Sequence, residues 1–423
     1  MKKHTIHITL FCLLISISAR AELIYINAGN LLDVDSGKLL SNQTIVVEDE
    51  RITRIGSTAS ITIPTSARII DLSDSTVLPG LIDMHVHLTG DIDAQGYDTL
   101  EASIPRNALY GAANARRTLQ IGFTTVRNVG AGGFADIALR DAIKNHDVPG
   151  PRMRASGPSL GITGGHCDNN LLPARFNSYG DGVADGPWAI RKKIRNNIKY
   201  GADVIKFCAT GGVLSKGTSV GAQQYSLEEM ATIVTETHQR DRKVAAHAHG
   251  ADGIKAAIQA GVDSVEHASM IDAEGIQMAI ENGTFLVMDV YVSDYILEMG
   301  EAAGFLPESL EKERLVGQVQ RDNFRKAHQA GVRMAFGSDA GVHPHGNNGK
   351  QFAYMVQYGM TPLEAIQAAT INAAELIGWS SEVGNIAEGF YADIIAVRGN
   401  PLDDVRQLED VDFVMKGGKI YKQ

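Results

Sequence analysis

The stretch Pro79-Gly80-Leu81-Ile82-Asp83-Met84-His85-Val86-His87-Leu88 decides the reading of this chain. It is an apolar strand that ends by presenting two imidazoles two residues apart. Side chains at i and i+2 of a strand share a face, so His85 and His87 project together while Met84, Val86 and Leu88 take the other side. Paired neutral imidazoles are metal-chelating geometry. A lone His-x-His also arises by chance in half-exposed strands, so the remainder of the chain has to decide.

Downstream, apolar strands begin near Leu81, Thr124, Arg152, Val204, Lys243, Ser264, Thr284 and Arg333. Between them lie helical stretches at 107–120, 134–145, 188–200, 226–240, 251–260, 273–282 and 319–330. Eight strand–helix units predict an α/β fold of the (β/α)8 TIM-like barrel kind over residues 79–379. The phrases opening at Gly201, Gly261 and Gly331 read as helix caps feeding the next strand. In such a barrel, function sits at the C-terminal strand ends.

Polar residues recur there. Lys206 interrupts the apolar run Asp203-Val204-Ile205-Lys206-Phe207-Cys208, where a buried ammonium needs a partner or a lowered pKa. A neutral lysine amine can take up carbon dioxide as a carbamate, a two-oxygen anion able to bridge two metals. The competing reading is a lysine that snorkels at a strand end. His247 and His249 end the next strand, His267 the one after, and Asp339 follows Met334-Ala335-Phe336-Gly337-Ser338. The order His-x-His, Lys, His, His, Asp on strands 1, 4, 5, 6 and 8 is far more specific than any one of its parts. His146, His238 and His328 fall on helices and read as surface residues.

Outside the barrel the pattern shifts to short alternating strands. Residues 22–78 read as an antiparallel β unit with turns at Asp35-Ser36-Gly37-Lys38 and Glu48-Asp49-Glu50-Arg51. Residues 380–423 resume that style, so both ends are expected to build one composite β-sandwich. Residues 1–21 read as a secretory signal peptide: Lys2 and Lys3, an apolar core from Ile8 to Ile17, and Ala19-Arg20-Ala21 as the cleavage site before Glu22. A periplasmic or secreted bacterial protein is expected, with no membrane attachment after cleavage.

The composition, 44% hydrophobic and 6% aromatic over 423 residues, is that of a soluble globular protein. The net charge of −10, without a basic run, excludes a nucleic-acid footprint. Cleavage would leave two cysteines, Cys167 and Cys208, too few for a disulfide framework, and no bridge between them is expected.

Across these motifs, together with Gly122-Phe123-Thr124-Thr125-Val126-Arg127, Gly150-Pro151-Arg152, Thr163-Gly164-Gly165-His166 and Ala245-Ala246-His247-Ala248-His249-Gly250, the chain resembles the amidohydrolase superfamily. The likeness is to its imidazolonepropionase-like, metal-dependent dipeptidase and carboxypeptidase branch, and it covers essentially the whole mature chain. The resemblance implies two divalent metal ions. One would be held by His85, His87, a carboxylated Lys206 and Asp339, the other by Lys206, His247 and His267. Zinc suits the histidine-rich set, although manganese or cobalt would accept the oxygens. Such a centre supplies hydroxide near neutral pH and polarises the scissile carbonyl, with Asp339 as the proton shuttle.

The implied substrate is a dipeptide or an N-acyl amino acid with a free C-terminal residue. His166, Tyr225, His249 and Arg127 are candidates to hold its carboxylate. Asp289 reads either as a pocket-wall carboxylate for a guanidinium or ammonium, or as the cap of the following helix. The chain looks more like the Arg/Lys-selective subgroup than the Xaa-Pro one, and hydrolysis of lactones, organophosphates or N-acyl aromatic amino acids is the alternative. A homo-oligomer is also expected.

Overall fold

The computed structural model describes residues 23–423; the expected leader and its cleavage site lie outside them. Four strands open the chain: β1 (Leu23–Asp33), β2 (Lys38–Glu48), β3 (Arg51–Ser57) and β4 (Arg68–Pro79). The turns fall where Asp35–Lys38 and Glu48–Arg51 predict them. The unit is mixed rather than antiparallel, because β4 runs parallel to β1 with Ile24 opposite Arg68.

Seven short strands follow: β5 (Leu81–Val86), β6 (Phe123–Asn128), β7 (Arg152–Ala155), β8 (Val204–Cys208), β9 (Lys243–Ala248), β10 (Ser264–His267) and β11 (Phe285–Val287). They pair in parallel as β5-β6-β7 and β8-β9-β10-β11. Every residue of β5, β6, β8, β10 and β11 is buried, as strands covered on both faces must be.

Single bridges join the two sheets. Leu160 pairs with Phe207 beside β8, and Leu286 of β11 pairs with Met334. The segment from Arg333 to Ala340 then returns to β5, where Phe336 O accepts from Met84 N at 2.9 Å and Ala340 O from His87 N at 2.7 Å. This segment was expected as a regular strand, but it pairs only at isolated points.

The helices explain themselves locally. Ser226 and Glu229 form a reciprocal capping box at the start of Leu227–His238, and Ala251–Ala260 ends on Gly261 in the left-handed region. One helix, Pro307–Gln329, begins well before the expected stretch and reaches back over the rim.

The chain closes with β12 (Ile394–Arg398), β13 (Phe413–Lys416) and β14 (Lys419–Lys422). These join the opening strands in a single seven-stranded sheet, β14-β13-β12-β4-β1-β2-β3. Both ends therefore combine by hydrogen bonds within one sheet, with β12 antiparallel to β4.

Candidate metal centre

The ends of β5, β8, β9 and β10 and the segment at 337–341 converge on one polar cluster. His85 and His87 lie with ring centroids 5.3 Å apart. Between them stands Asp339, whose Oδ1 is 3.4 Å from His85 Nε2 and 3.3 Å from His87 Nε2. Asp339 has φ 56°, and its N–H donates to His85 O at 2.9 Å. His267 also adopts a positive φ of 67°. Such conformations cost a non-glycine residue about 1–3 kcal/mol and persist only where surroundings impose them.

Facing this group are His247, His249 and His267, each with one ligand atom within 4.8 Å of the others. The His85 and His267 rings are 4.9 Å apart, which makes the two groups one cluster. Burial pushes the pKa of His85, His247 and His249 well below that of a free imidazole, so these rings are neutral, the form that ligates metals. Lys206 sits among them, 3% exposed, with no hydrogen-bond or salt-bridge partner among the described residues. Burial lowers its pKa to about 8 despite the nearby Glu266 and Asp339 carboxylates.

Does this donor set fit a metal? His247 Nε2 is buried without a hydrogen-bond partner, and an orphaned imidazole nitrogen is costly unless something accepts its lone pair. A cation does so.

The comparisons agree with that geometry. Residues 76–421 match the amidohydrolase family. The chain belongs to that family. It is 35% identical to the ochratoxinase of Aspergillus niger over 97% of this chain and 89% of the other. A solved structure described as a Xaa-Pro dipeptidase with bound methionine in the active site is 40% identical, with a TM-score of 0.89 over 95% of this chain and all of that one. A prolidase complexed with N-methylphosphonate-L-proline is 32% identical, with a TM-score of 0.88 over 95% and 100% of the two chains. This amidohydrolase is accordingly a hydrolase acting on amide bonds, with a TIM-barrel-like α/β fold.

The remaining candidates fall into two groups. His166 and His249 line the cavity, which measures about 160 Å³. Burial lowers the pKa of His166 to about 3, so it too is neutral. Tyr225 is fully buried and its hydroxyl donates to Ala184 O at 3.0 Å. The Arg127 guanidinium donates to Met84 O at 2.7 Å, Ser264 Oγ at 2.9 Å and Glu266 Oε1 at 2.7 Å. Neither is free to grip a substrate carboxylate, which corrects both expectations: a long polar side chain inside a buried strand spends its donors on the nearest backbone and acid.

Asp289 is corrected as well. Its carboxylate faces His267 Nδ1 at 2.9 and 3.0 Å and accepts from Gln320 Nε2 at 2.9 Å. It neither caps the helix Val292–Met299, which has no side-chain cap, nor stands free for a cationic substrate. Burial works against a charge on His267, but the Asp289 carboxylate outweighs it and raises the His267 pKa. Glu266 serves His85 in the same way, with Oε2 3.0 Å from His85 Nδ1. A carboxylate behind a histidine fixes the ring's orientation and tautomer.

Sequence reasoning missed Glu266 and Gln320 in these roles. A signal for Glu266 existed, since an acid directly before the ligand candidate His267 on a barrel strand requires a partner, and Arg127 sits in an equally buried strand.

The expectation for the cysteines also fails. Cys167 and Cys208 are disulfide-bonded, Cα to Cα 6.0 Å; Gly161 and Gly180 pass so closely that the loop folds Cys167 back onto β8. A larger cleft of about 760 Å³ opens elsewhere, lined by Arg51, Arg140 and Arg152. Those guanidinium groups are paired with Glu382, Asp203 and Asp393, and none of the cluster's residues reaches it.

Proposed function

We propose that this amidohydrolase cleaves the amide bond of dipeptides or N-acyl amino acids that carry a free C-terminal residue, arginine or lysine first among them. One observation supports the preference. Glu313, from the long helix Pro307–Gln329, lines the cavity as a buried carboxyl whose hydrogen-bond partner among the described residues is the Ser293 hydroxyl alone. Burial raises its pKa to about 7. A cationic side chain would supply the missing counter-charge, while Leu214, Val292, Ile296 and Val342 around the cavity would pack its aliphatic stem.

In this reading His85, His87, Lys206 and Asp339 hold one divalent ion, and Lys206, His247 and His267 hold the other, with Lys206 as a carbamate. Its burial without a protein partner supports that modification. Zinc bound there would supply Lewis-acid activation of the water and of the scissile carbonyl. Asp339, aimed between the two β5 histidines, takes the proton from the attacking water and returns it to the leaving amine. Glu266 and Asp289 hold the His85 and His267 rings in place. His166 and His249 remain to meet the substrate carboxylate.

A second reading has its own support: beside its polar cluster the cavity carries an aliphatic patch of Val129, Val213, Leu214, Val292, Ile296 and Val342, and two similar structures are described as a Xaa-Pro dipeptidase and a prolidase. Ala-Arg, Ala-Lys, Ala-Pro and Ala-Phe separate the two. The basic peptides should give the highest kcat/KM, and Glu313→Gln should erase that lead while sparing Ala-Phe. Preference for the proline or phenylalanine peptide would overturn the subgroup. Asp339→Asn should lower turnover on the best peptide by about 10²–10⁴-fold, and a rate within a few-fold of the parent would reject the shuttle.

We read the ring of β5 to β11 and the segment 333–340 as a closed (β/α)8 barrel over 79–379, with 22–78 and 380–423 as the composite β domain. An experimental structure in which 333–340 is unpaired from β5 or β11 would reject closure. Self-association is checked by light scattering, where a monomer mass rejects it.

A further inference from the structure

The loop between Ser156 and Asp185 joins β7 to the next helix and carries His166 over the cluster. The His166 ring lies almost flat on His247, centroids 4.2 Å apart and 24° from parallel. Its position therefore sets the room left beside His247. Two hydrogen bonds hold the residue: Nδ1 lies 2.8 Å from Ser215 Oγ, and its backbone N–H donates to Gln224 Oε1 at 3.1 Å.

Its neighbour Cys167 is bonded to Cys208, the last residue of β8 and two beyond Lys206. The loop also pairs with β8 earlier, where Leu160 N donates to Lys206 O at 2.8 Å and Leu160 O accepts from Cys208 N at 2.9 Å. Around Cys167 the loop ties to itself, where Asp168 accepts from Gly164 N and Gly180 N and Asn169 donates to Ser178, and its far end meets other elements, where Asp181 accepts from Gly133 N and Ala184 O from the Tyr225 hydroxyl. Past Leu160, the disulfide is thus the loop's direct fastening to the lysine-bearing strand. The sequence makes room for it. A Cβ on Gly161 would stand 2.7 Å from Cys167 Cβ, and one on Gly212 would stand 2.3 Å from His166 Cε1.

We propose that the Cys167–Cys208 disulfide is a positioning clamp, which holds His166 on His247 and so shapes the substrate side of the site. Reduction opens that side alone. The kinetic part rests on the function proposed above; the structural part does not.

A phosphine reductant tests it with balanced chemistry: the Sγ–Sγ bond breaks, both sulfurs become thiols, and the phosphine leaves as its oxide with oxygen from water. The metal-loaded protein beginning at Glu22, which lacks Cys12, before and after reduction, and its double variant Cys167→Ser/Cys208→Ser are compared for thiol titre, metal content, hydrogen exchange over 159–185, and kinetics on the best dipeptide. The expected result is no free thiol before reduction and two after. Metal content should not change, exchange across the loop should quicken, and kcat/KM should fall about 10- to 100-fold, the scale of a misplacement of about 1 Å. Reoxidation should restore the parent and leave the double variant unmoved. Free thiols in the untreated protein, or loop exchange unchanged in both the reduced and the double-variant proteins, would overturn the clamp. Absence of hydrolysis with every peptide would sink the proposed function and leave exchange and thiol titre to judge the clamp.

Discussion

Glu313 carries a consequence for stability as well as for substrate choice. Its carboxyl titrates near 4.5 when exposed, and burial raises it to about 7 in the folded protein. Between those values the folded state holds a proton that the unfolded chain has lost, so stability falls as pH rises through the window. Below pH 4.5 the contribution is intact, and above 7 it is gone. A shift of this size corresponds to roughly 3 kcal/mol. Glu313→Gln should therefore gain on the parent between pH 5 and pH 8, read from urea midpoints at the two values; an equal gap at both would refute it. At this scale the cluster itself was legible, because His85, His87, His247 and Asp339 follow largely apolar runs and His267 closes the short strand after a Gly-led helix cap, which places all five at strand ends. Asp289 and Arg127 were not, since two buried polar residues on different strands show nothing in sequence of which partner each meets.

Among the elements, the stretch after β8 shows how backbone economy sets a side chain's place. Gly212 has an ordinary φ, so alanine suits its backbone, yet the added methyl would meet the His166 ring. Gly212→Ala should keep the fold and the metal content while lowering kcat/KM about tenfold or more, as the ring leaves its stacked position; unchanged kinetics would show that the ring's place does not matter. The strong periodic elements were readable, as the helices Ala251–Ala260 and Ala273–Asn282 show. Val292–Met299 was foreshadowed only as the helix after Asp289, and its start was not legible, because its N-cap Tyr291 offers no side-chain cap. Nor was the broken pairing at 333–340, whose left-handed Asp339 no propensity anticipates.

For the molecule as a whole, we infer export of a chain beginning at Glu22. The Cys167–Cys208 bond supports it, since such bonds persist in oxidising compartments. N-terminal sequencing of the protein from the periplasmic fraction checks this; retention of Met1 there would refute cleavage.

The seven-stranded sheet also imposes an order of assembly. The edge of β4 that meets β12 stays without a partner until residues 394–398 have been made, about three quarters of the chain later. Contacts so distant in sequence close slowly, and an open strand edge invites pairing with other molecules meanwhile. The last-made strands thus act as a latch. A chain cut short before residue 394 would hold every residue of the catalytic cluster and still present an unsealed edge to its neighbours.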